Sequence, residues 1–180
     1  MADTTTIRDA DGFELAEVPG GLAGADLRGR WLSRAVLPDS DFSGTALTGT
    51  RLDNADLRGA RFKGAIMEGA FLDSALLDRA DLTDADLYWA ILFCASVRGA
   101  TLVRADLRGA DLKSADLSEA DLRDANLGRD NLGGSTQLQG ANLTAARLDG
   151  ARLEAAEFDA ETRFPVGFDP RARGMVERAA

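Results

Sequence analysis

The sequence predicts an all-β solenoid, a fold in which short extended segments wind in coils around one axis. Three observations lead to this fold class. A large apolar residue recurs at every fifth position through most of the chain, and the residue two places before it is small, usually alanine. An aspartate or asparagine commonly stands directly before the apolar residue, as in "ADLRGADLKSADLSEADLRDAN" at positions 105–126.

A period of five excludes the two simplest alternatives. Five residues of an α-helix advance by about 500°, so the leucines would spread over every side of a single long helix. Side chains of a flat strand alternate, so an odd spacing would send successive leucines to opposite faces. Each pentapeptide is therefore expected to be a short extended segment followed by a corner, with every leucine pointing at a common axis. The small residue two places earlier then also faces inward, which indicates a narrow and closely packed interior.

The repeat register runs unbroken through 23 units, from Leu22 to Leu132. Five further units, from Leu138 to Phe158, continue it and bring the total to 28. The change of frame between the two runs indicates one extra residue near Gln137, which we interpret as a bulge at a corner.

The two ends of a solenoid expose a hydrophobic layer and need caps. We expect an N-terminal cap segment at residues 1–19, the repeat solenoid at 20–160, and a C-terminal cap with a short helix at 161–180. Asp169 and Pro170 are typical of the N-cap and the first residue of that helix. The apolar residues expected to close the ends are Ile7, Phe13, Leu15 and Val18 at the start and Phe164, Val166 and Phe168 at the finish.

The composition limits which classes of binding partner are expected. The 180 residues carry 30 acidic and 21 basic side chains, a net charge of −9 and a pI near 4.5. This balance argues against direct binding to nucleic acid or to an anionic membrane.

Cys94 is the only cysteine, so no intrachain disulfide can form and a reducing compartment is expected. The acidic N-terminus contains no apolar run typical of a secretory signal, so we expect a cytoplasmic protein.

The pattern A-(D/N)-L-x-x, repeated over about residues 20–160, resembles that of the pentapeptide-repeat proteins. This resemblance implies a right-handed quadrilateral parallel β-helix with four pentapeptides in each coil. The 28 units would then form about seven coils. At a strand spacing of roughly 4.8 Å, seven coils give a rod of roughly 30 Å.

The residue types that most often act in active sites are rare in this sequence. The chain contains no histidine, and the repeat register places no basic side chain beside Cys94. Acidic residues are spread along the repeats, so no metal or cofactor site is expected, and we predict that the protein is not an enzyme. Asp86 and Asp106 lie 20 residues apart and should face outward on adjacent coils, where we interpret them as solubilising charges.

Large apolar side chains interrupt the otherwise polar outward positions, mostly between residues 66 and 93. We predict a protein-contact patch here, because a contiguous apolar surface usually marks an interface. Three occupants are open at this stage: another protein, a second copy of the chain in a homodimer, or the N-terminal segment folded back. The predicted patch contains Trp31, Ile66, Phe71, Leu76, Tyr88, Trp89, Ile91 and Phe93.

The resemblance also implies an alternative function. Some pentapeptide-repeat proteins mimic DNA in shape and charge and bind type II topoisomerases, inhibiting DNA gyrase or protecting it and topoisomerase IV from poisons. The acidic surface that would serve this DNA mimicry is Asp81, Asp86, Asp106, Asp111, Asp116 and Asp121. In those relatives a C-terminal extension forms the dimer contact, and here Met175 and Val176 are the apolar residues available for it.

The charge balance of the repeats weakens the DNA-mimicry hypothesis without removing it. Several acids are followed two residues later by a base, as Asp106 is by Arg108 and Asp121 by Arg123, and we expect these pairs to neutralise each other. Residues 21–160 hold 22 acidic and 16 basic side chains, a net of six negative charges. A DNA duplex would carry roughly 18 over a rod of roughly 30 Å. The main hypothesis is therefore a non-catalytic binding or scaffold protein, with the topoisomerase regulator as the alternative.

Overall fold

The computed structural model describes residues 4–178 and shows a parallel β-helix. Residues 20 positions apart bridge each other in parallel, as Trp31 does with Arg51, and Arg51 in turn with Phe71. One coil therefore takes four pentapeptides, as the resemblance implied. Within each pentapeptide the chain turns at the second residue after the leucine, where the backbone dihedral φ is positive at glycines and at many other residues.

The interior is a stack of leucines with alanines at the corners. Leu107 and Ala110 are both fully buried, and Phe42 stacks on Phe62 with 4.8 Å between ring centroids. Thr45 occupies an alanine position, and its hydroxyl donates to the backbone carbonyl of Leu22 at 2.6 Å, so the polar atom is satisfied. The predicted narrow interior is confirmed.

A two-stranded antiparallel hairpin covers the first coil. Strands β1 (Thr4–Arg8) and β2 (Glu14–Pro19) pair with each other, and the N–H of Val36 donates to the carbonyl of Arg8 at 2.9 Å. Ile7 and Val18 are buried as predicted, and Leu15 is partly buried against them. The prediction was wrong for Phe13, which is 70% exposed because it lies beside the hairpin turn.

The C-terminal segment adds one strand below the last coil. Strand β3 (Glu157–Phe158) pairs in parallel with β4 (Val176–Glu177). Between them, Phe164 packs 5.6 Å from the Phe158 ring and 5.2 Å from the Phe168 ring, whereas Val166 is fully exposed and does not close the end. Met175 is buried within its own chain, so it is not free to form the dimer contact considered above.

The short helix expected after Asp169 is a single 3-10 turn over Arg171–Arg173. The carboxylate of Asp169 accepts the N–H of Arg171 at 3.0 Å and of Ala172 at 3.2 Å. The N-cap is Pro170 rather than Asp169, so the predicted start of the helix was wrong by one residue, and the turn is too short to be an α-helix. Residues 4–178 contain no helix with the length and apolar character of a membrane span.

The register shift is a loop of several residues rather than a one-residue bulge. Bridged residues are 20 apart up to Asp106 and Asn126, and 26 apart in the four bridges that span the loop, from Asp111–Gln137 to Asn126–Arg152. The separation returns to 20 at Gln137 and Glu157. Gln137 lies in the regular strand column, so the bulge predicted there was wrong. We call residues 128–135 the insertion loop. Leu132 lies within it and is 81% exposed, so it does not belong to the core and was wrongly counted among the repeat units.

Candidate interaction surface

The outward residue before each leucine forms vertical columns on the four sides of the rod. One column contains more large apolar side chains than any of the other three. We call its side of the rod the Trp31 face. The column consists of Trp31, Arg51, Phe71, Ile91, Asp111, Gln137, Glu157 and Val176.

The upper part of the Trp31 face is an aromatic–cation stack. The guanidinium carbon of Arg51 lies 5.1 Å from the Trp31 ring centroid and 5.2 Å from the Phe71 ring centroid. Its Nε also lies 3.3 Å from a carboxylate oxygen of Asp53. A cation between two rings is attracted by both ring faces, so these side chains hold one another in an extended, ordered row.

The predicted patch is brought together except at one position. Trp31, Phe71, Ile91 and Phe93 lie on the Trp31 face; Tyr88 and Trp89 lie at the corner before it, and Leu76 begins the side after it. Ile66 stands apart, in a different column between Ala46 and Asp86. The N-terminal hairpin bridges Ala35 rather than these residues, and Trp31 remains 73% exposed. From residue 4 onward, the N-terminal segment is therefore not what covers the patch.

Trp89 is tied to the insertion loop, a contact that the repeat pattern did not predict. Its indole Nε1 donates to Oδ2 of Asp130 at 2.6 Å. A Cβ added to Gly109 on the next coil would lie 2.7 Å from the Trp89 ring, so the ring packs directly over the glycine backbone. Trp89 itself occupies a turn position with φ of 57°, a conformation uncommon for tryptophan. The insertion loop is thus anchored to the corner beside the Trp31 face.

Asp130 organises the insertion loop from within. One carboxylate oxygen accepts the N–H of Leu132 at 2.8 Å and of Gly134 at 2.6 Å. Burial alone would raise the pKa of this carboxyl, but the hydrogen bonds from Trp89 and from the loop N–H groups outweigh it and lower the pKa. Asp130 is therefore held as a carboxylate that accepts from both the loop and the rod.

The aspartates before the leucines have a structural role in the turns. The N–H of Tyr88 donates to Oδ1 of Asp86 at 3.1 Å, and the N–H of Thr83 donates to Oδ1 of Asp81 at 3.0 Å. Asn126 accepts the N–H of Gly128 at 3.2 Å in the same way. This side-chain turn is typical of aspartate and asparagine, which explains why both occur at this position.

The predicted local neutralisation is confirmed. Arg108 contacts Asp106 at 2.5 Å, Arg123 contacts Asp121 at 2.6 Å, and Lys113 contacts Asp111 at 3.1 Å. The same i to i+2 pairing joins Arg28 to Asp26 and holds the pKa of that carboxyl down to about 2. These acids present ion pairs rather than free negative charge to the solvent.

The six acids of the predicted acidic surface do not share one side of the rod. Asp86 and Asp106 bridge each other on adjacent coils, as predicted. Asp81 and Asp121 belong to one column, Asp111 to the Trp31 face, and Asp116 to the column of Leu76. Acidic side chains are thus distributed around the whole rod.

The turn role of the acids predicts how they tolerate substitution. We expect Asp86→Asn to leave the midpoint of thermal unfolding almost unchanged, because the amide oxygen still accepts the N–H of Tyr88. Asp86→Ala removes the acceptor and should lower the free energy of unfolding by about 0.5–1.5 kcal/mol. Thermal and urea unfolding followed by circular dichroism measure both. Equal effects of the two substitutions would contradict the turn role.

Grooves on the rod are open and lined by charges of both signs. One groove of about 500 Å³ contains Arg58, Arg79 and Arg98 together with Asp39, Asp78 and Glu119. Within the part of the chain that the structure describes, His, Cys, Asp and Glu side chains form no group of three that could hold a metal ion.

The coils, the inward leucines and the turn-forming aspartates define a class of protein, a β-helical solenoid built from pentapeptides. The sequence profile described as Pentapeptide repeats matches the chain in eight copies, over residues 22–59, 55–92, 90–129 and 136–160. The chain therefore belongs to the pentapeptide-repeat family, whose members fold as right-handed β-helices. The gap between the last two matched ranges falls on the insertion loop.

Solved structures similar to the chain include two pentapeptide-repeat proteins and a fluoroquinolone resistance protein. HetL from the cyanobacterium Nostoc sp. strain PCC 7120, involved in the regulation of heterocyst differentiation, is 26% identical over 87% of each chain, with a TM-score of 0.37. The Nostoc PCC 7120 protein alr5209 is 32% identical over 77% of this chain and 84% of its own, with a TM-score of 0.30. QnrB1, a plasmid-mediated fluoroquinolone resistance protein, is 16% identical over 86% of this chain and 92% of its own, with a TM-score of 0.45. None of the curated protein sequences is significantly similar to the chain.

Proposed function

We propose that this chain is a non-catalytic binding or scaffold protein that acts through protein–protein contacts on the Trp31 face and its two corners. The observation that carries the proposal is the exposure of large apolar side chains there. Trp31 and Phe93 are 73% and 43% exposed, at outward positions that turn formation leaves free to be polar. A row of aromatic side chains beside an arginine has the composition of a binding hot spot.

Association should depend on the column itself. Phe71→Asp combined with Ile91→Asp should leave the fold intact, because both side chains point outward and are only half-buried. The same double substitution should abolish partner binding, since it places two carboxylates in the centre of an apolar contact. Affinity capture of bound protein by the purified full chain, followed by titration of the captured protein, measures the loss.

A charge-matched variant separates contact from charge. Thr101→Asp combined with Val103→Asp adds two acids on the opposite side of the rod, two pentapeptides further along the chain. This control should bind like the wild type. Loss of binding in both variants, or in neither, would contradict a contact role for the Trp31 face. A large loss of stability in the first variant would show that those side chains support the fold.

The second candidate is a DNA-mimicking regulator or protector of a type II topoisomerase, and the acidic net charge of −9 is the observation that favours it. Asp86→Asn combined with Asp106→Asn removes two charges while each amide can still accept its turn hydrogen bond. If mimicry operates, inhibition or protection of gyrase in a supercoiling assay should fall in this variant and weaken as salt rises. Activity that is indifferent to both changes would exclude mimicry and direct attention to the Trp31 face.

A further inference from the structure

We infer that a groove at one edge of the Trp31 face binds the guanidinium group of an arginine side chain that the partner presents. The inference rests on the proposed function and names a chemical feature of the partner, because Phe93 and Gln137 of the Trp31 face both line the groove. The groove has a volume of about 580 Å³ and runs from Phe93 down to Asp159 and Glu161 near the C-terminal end of the rod.

The groove lies at a corner where one coil lacks a side chain. The turn positions of this corner in the coils above are occupied by Asn54, Ser74, Cys94 and Ser114, and Gly140 takes the same position in the next coil. A Cβ added to Gly140 would have Oγ of Ser114 as its nearest neighbour, at 3.3 Å. The missing side chain therefore leaves space for a group from outside the chain.

Asp159 supplies a fixed carboxylate. Its Oδ1 accepts the N–H of Gly140 at 2.9 Å, the N–H of Glu161 at 3.0 Å, and both the N–H and the hydroxyl of Thr162. Burial alone would raise the pKa of this carboxyl, but these hydrogen bonds outweigh it and lower the pKa. All of them go to Oδ1, so Oδ2 keeps its capacity to accept from a ligand.

The charges of the groove favour a cation. Among the lining residues that the structure describes, Lys113 is the one cation, and its ammonium group already lies 3.1 Å from a carboxylate oxygen of Asp111. Asp159 and Glu161 form no ion pair within residues 4–178. A cation that enters the groove therefore meets two carboxylates whose charge no group of the described chain neutralises.

An amide oxygen in the groove wall lacks a hydrogen-bond donor. Oε1 of Gln139 is the one buried side-chain nitrogen or oxygen without a partner in the part of the chain that the structure describes. Nε2 of the same amide donates to Glu157 at 3.1 Å, so turning the amide over would set its oxygen against a carboxylate. A ligand with several N–H donors satisfies Oε1 once the amide rotates toward the groove, which stabilises the bound state.

These groups together favour a guanidinium over other cations. A guanidinium presents five N–H donors in a planar fork, so it can donate to a carboxylate and to an amide oxygen at the same time, whereas an ammonium group is a point charge. Phe93 is 43% exposed at the upper end of the groove and offers a ring face on which the guanidinium plane can stack. The chain itself uses this contact where Arg51 lies between Trp31 and Phe71.

Binding of a blocked arginine tests the site. In NMR titrations of the purified full chain, we expect Nα-acetyl-arginine amide to shift the signals of the Gly140 N–H and the Gln139 side-chain amide until they saturate. Nα-acetyl-citrulline amide has a similar shape without the charge and should bind at least about tenfold more weakly. Nα-acetyl-lysine amide has the charge without the planar fork and should also bind more weakly. Equal affinity for the arginine compound and either of the others, or shifts that never saturate, overturns the inference.

Two groove variants and one control locate the binding. Glu161→Gln and Asp159→Asn should each weaken binding of the arginine compound by about threefold to tenfold, because each removes one carboxylate charge. Asn at position 159 can still accept the N–H of Gly140, and Glu161 is exposed, so circular dichroism should show both variants folded. Glu68→Gln removes an exposed charge on the side of the rod that carries Ile66, and it should bind like the wild type. Unchanged affinity in Glu161→Gln, or an equal loss in Glu68→Gln, contradicts the site.

Gly140→Asn tests the space itself. Asn54 occupies the same corner with φ of 58°, against 69° for Gly140, so asparagine suits the backbone at this position. The added side chain should abolish binding of the arginine compound and leave the chain folded. Retained binding in a folded Gly140→Asn chain overturns the placement of the guanidinium in this groove.

The arginine site and the proposed function fail separately, because the titration needs no partner. A wild-type chain that binds no arginine compound, but whose captured partner is lost in the Phe71→Asp and Ile91→Asp variant, overturns the arginine site alone and leaves the proposed function standing. A partner that binds this variant as well as it binds the wild type contradicts the proposed function, whatever the titration shows.

Discussion

Leu107→Asp is expected to lower the free energy of unfolding by roughly 3 to 5 kcal/mol or to prevent folding. Leu107 is fully buried, and the coils of Leu87 and Leu127 lie directly above and below its own coil. A carboxylate in this column would have neither water nor a counter-charge, and the surrounding leucines offer no hydrogen-bond donor. Urea unfolding followed by circular dichroism gives the free energy directly.

Leu132→Asp is the matched control. In the sequence Leu132 sits in the same five-residue register as Leu107, but the structure places it on the exposed surface of the insertion loop. Its replacement should change the free energy of unfolding by less than about 0.5 kcal/mol. Similar losses for both substitutions would mean that the path assigned to the insertion loop is wrong.

The failure at Leu132 shows what the five-residue period can and cannot establish. The spacing of apolar residues continues through the insertion loop by coincidence. The small residue two places earlier does not: Asp130 stands where the pattern requires alanine, and Gly133 and Gly134 follow. Reading both inward positions together would have excluded Leu132, because a carboxylate does not fit the narrow corner of the coil.

Most of the fold was predictable because a single short rule is repeated. The leucines and alanines specify the interior, and the turn-forming aspartates specify where each coil bends. The number of pentapeptides per coil came from the family resemblance, since a period of five is compatible with other polygons. The hairpin over the first coil was predicted only as a capping segment, because its pairing depends on contacts outside the repeat.

The candidate surface was predicted in part for a related physical reason. Outward positions step by 20 residues along a column, so the neighbours Phe71 and Ile91 could be derived from the sequence once four units per coil were assumed. The contact between Trp89 and Asp130 spans 41 residues and depends on the path of the insertion loop. Periodicity contains no information about that path.

The acidic character of the chain is partly a consequence of its turns. Each coil needs acceptors for N–H groups at the position before the leucine, and aspartate supplies them as readily as asparagine. Arg108 and Arg123 then compensate much of the charge that this introduces. Interaction surfaces are therefore better sought where outward residues depart from the turn-forming pattern, as on the Trp31 face, than in the total charge.

Gly109→Ala is expected to detach the insertion loop from the rod. The new Cβ would lie 2.7 Å from the Trp89 ring and 3.1 Å from Oδ2 of Asp130, so the ring must move and its hydrogen bond to Asp130 must break. Gly64→Ala is the control, because Gly64 has a similar φ of 64° against 71° for Gly109 but no neighbouring atom within 4 Å.

The two glycine substitutions share the penalty of a left-handed backbone, roughly 1 to 2 kcal/mol, and differ only in the collision with Trp89. Gly109→Ala should therefore lower the midpoint of thermal unfolding further than Gly64→Ala does. It should also expose the peptide bond after Arg129, an exposed residue of the insertion loop, to trypsin. Limited digestion followed by mass spectrometry should show faster cleavage at Arg129 in Gly109→Ala and a wild-type rate in Gly64→Ala. Equal cleavage rates in the two variants would show that Trp89 does not anchor the loop, whatever their stabilities.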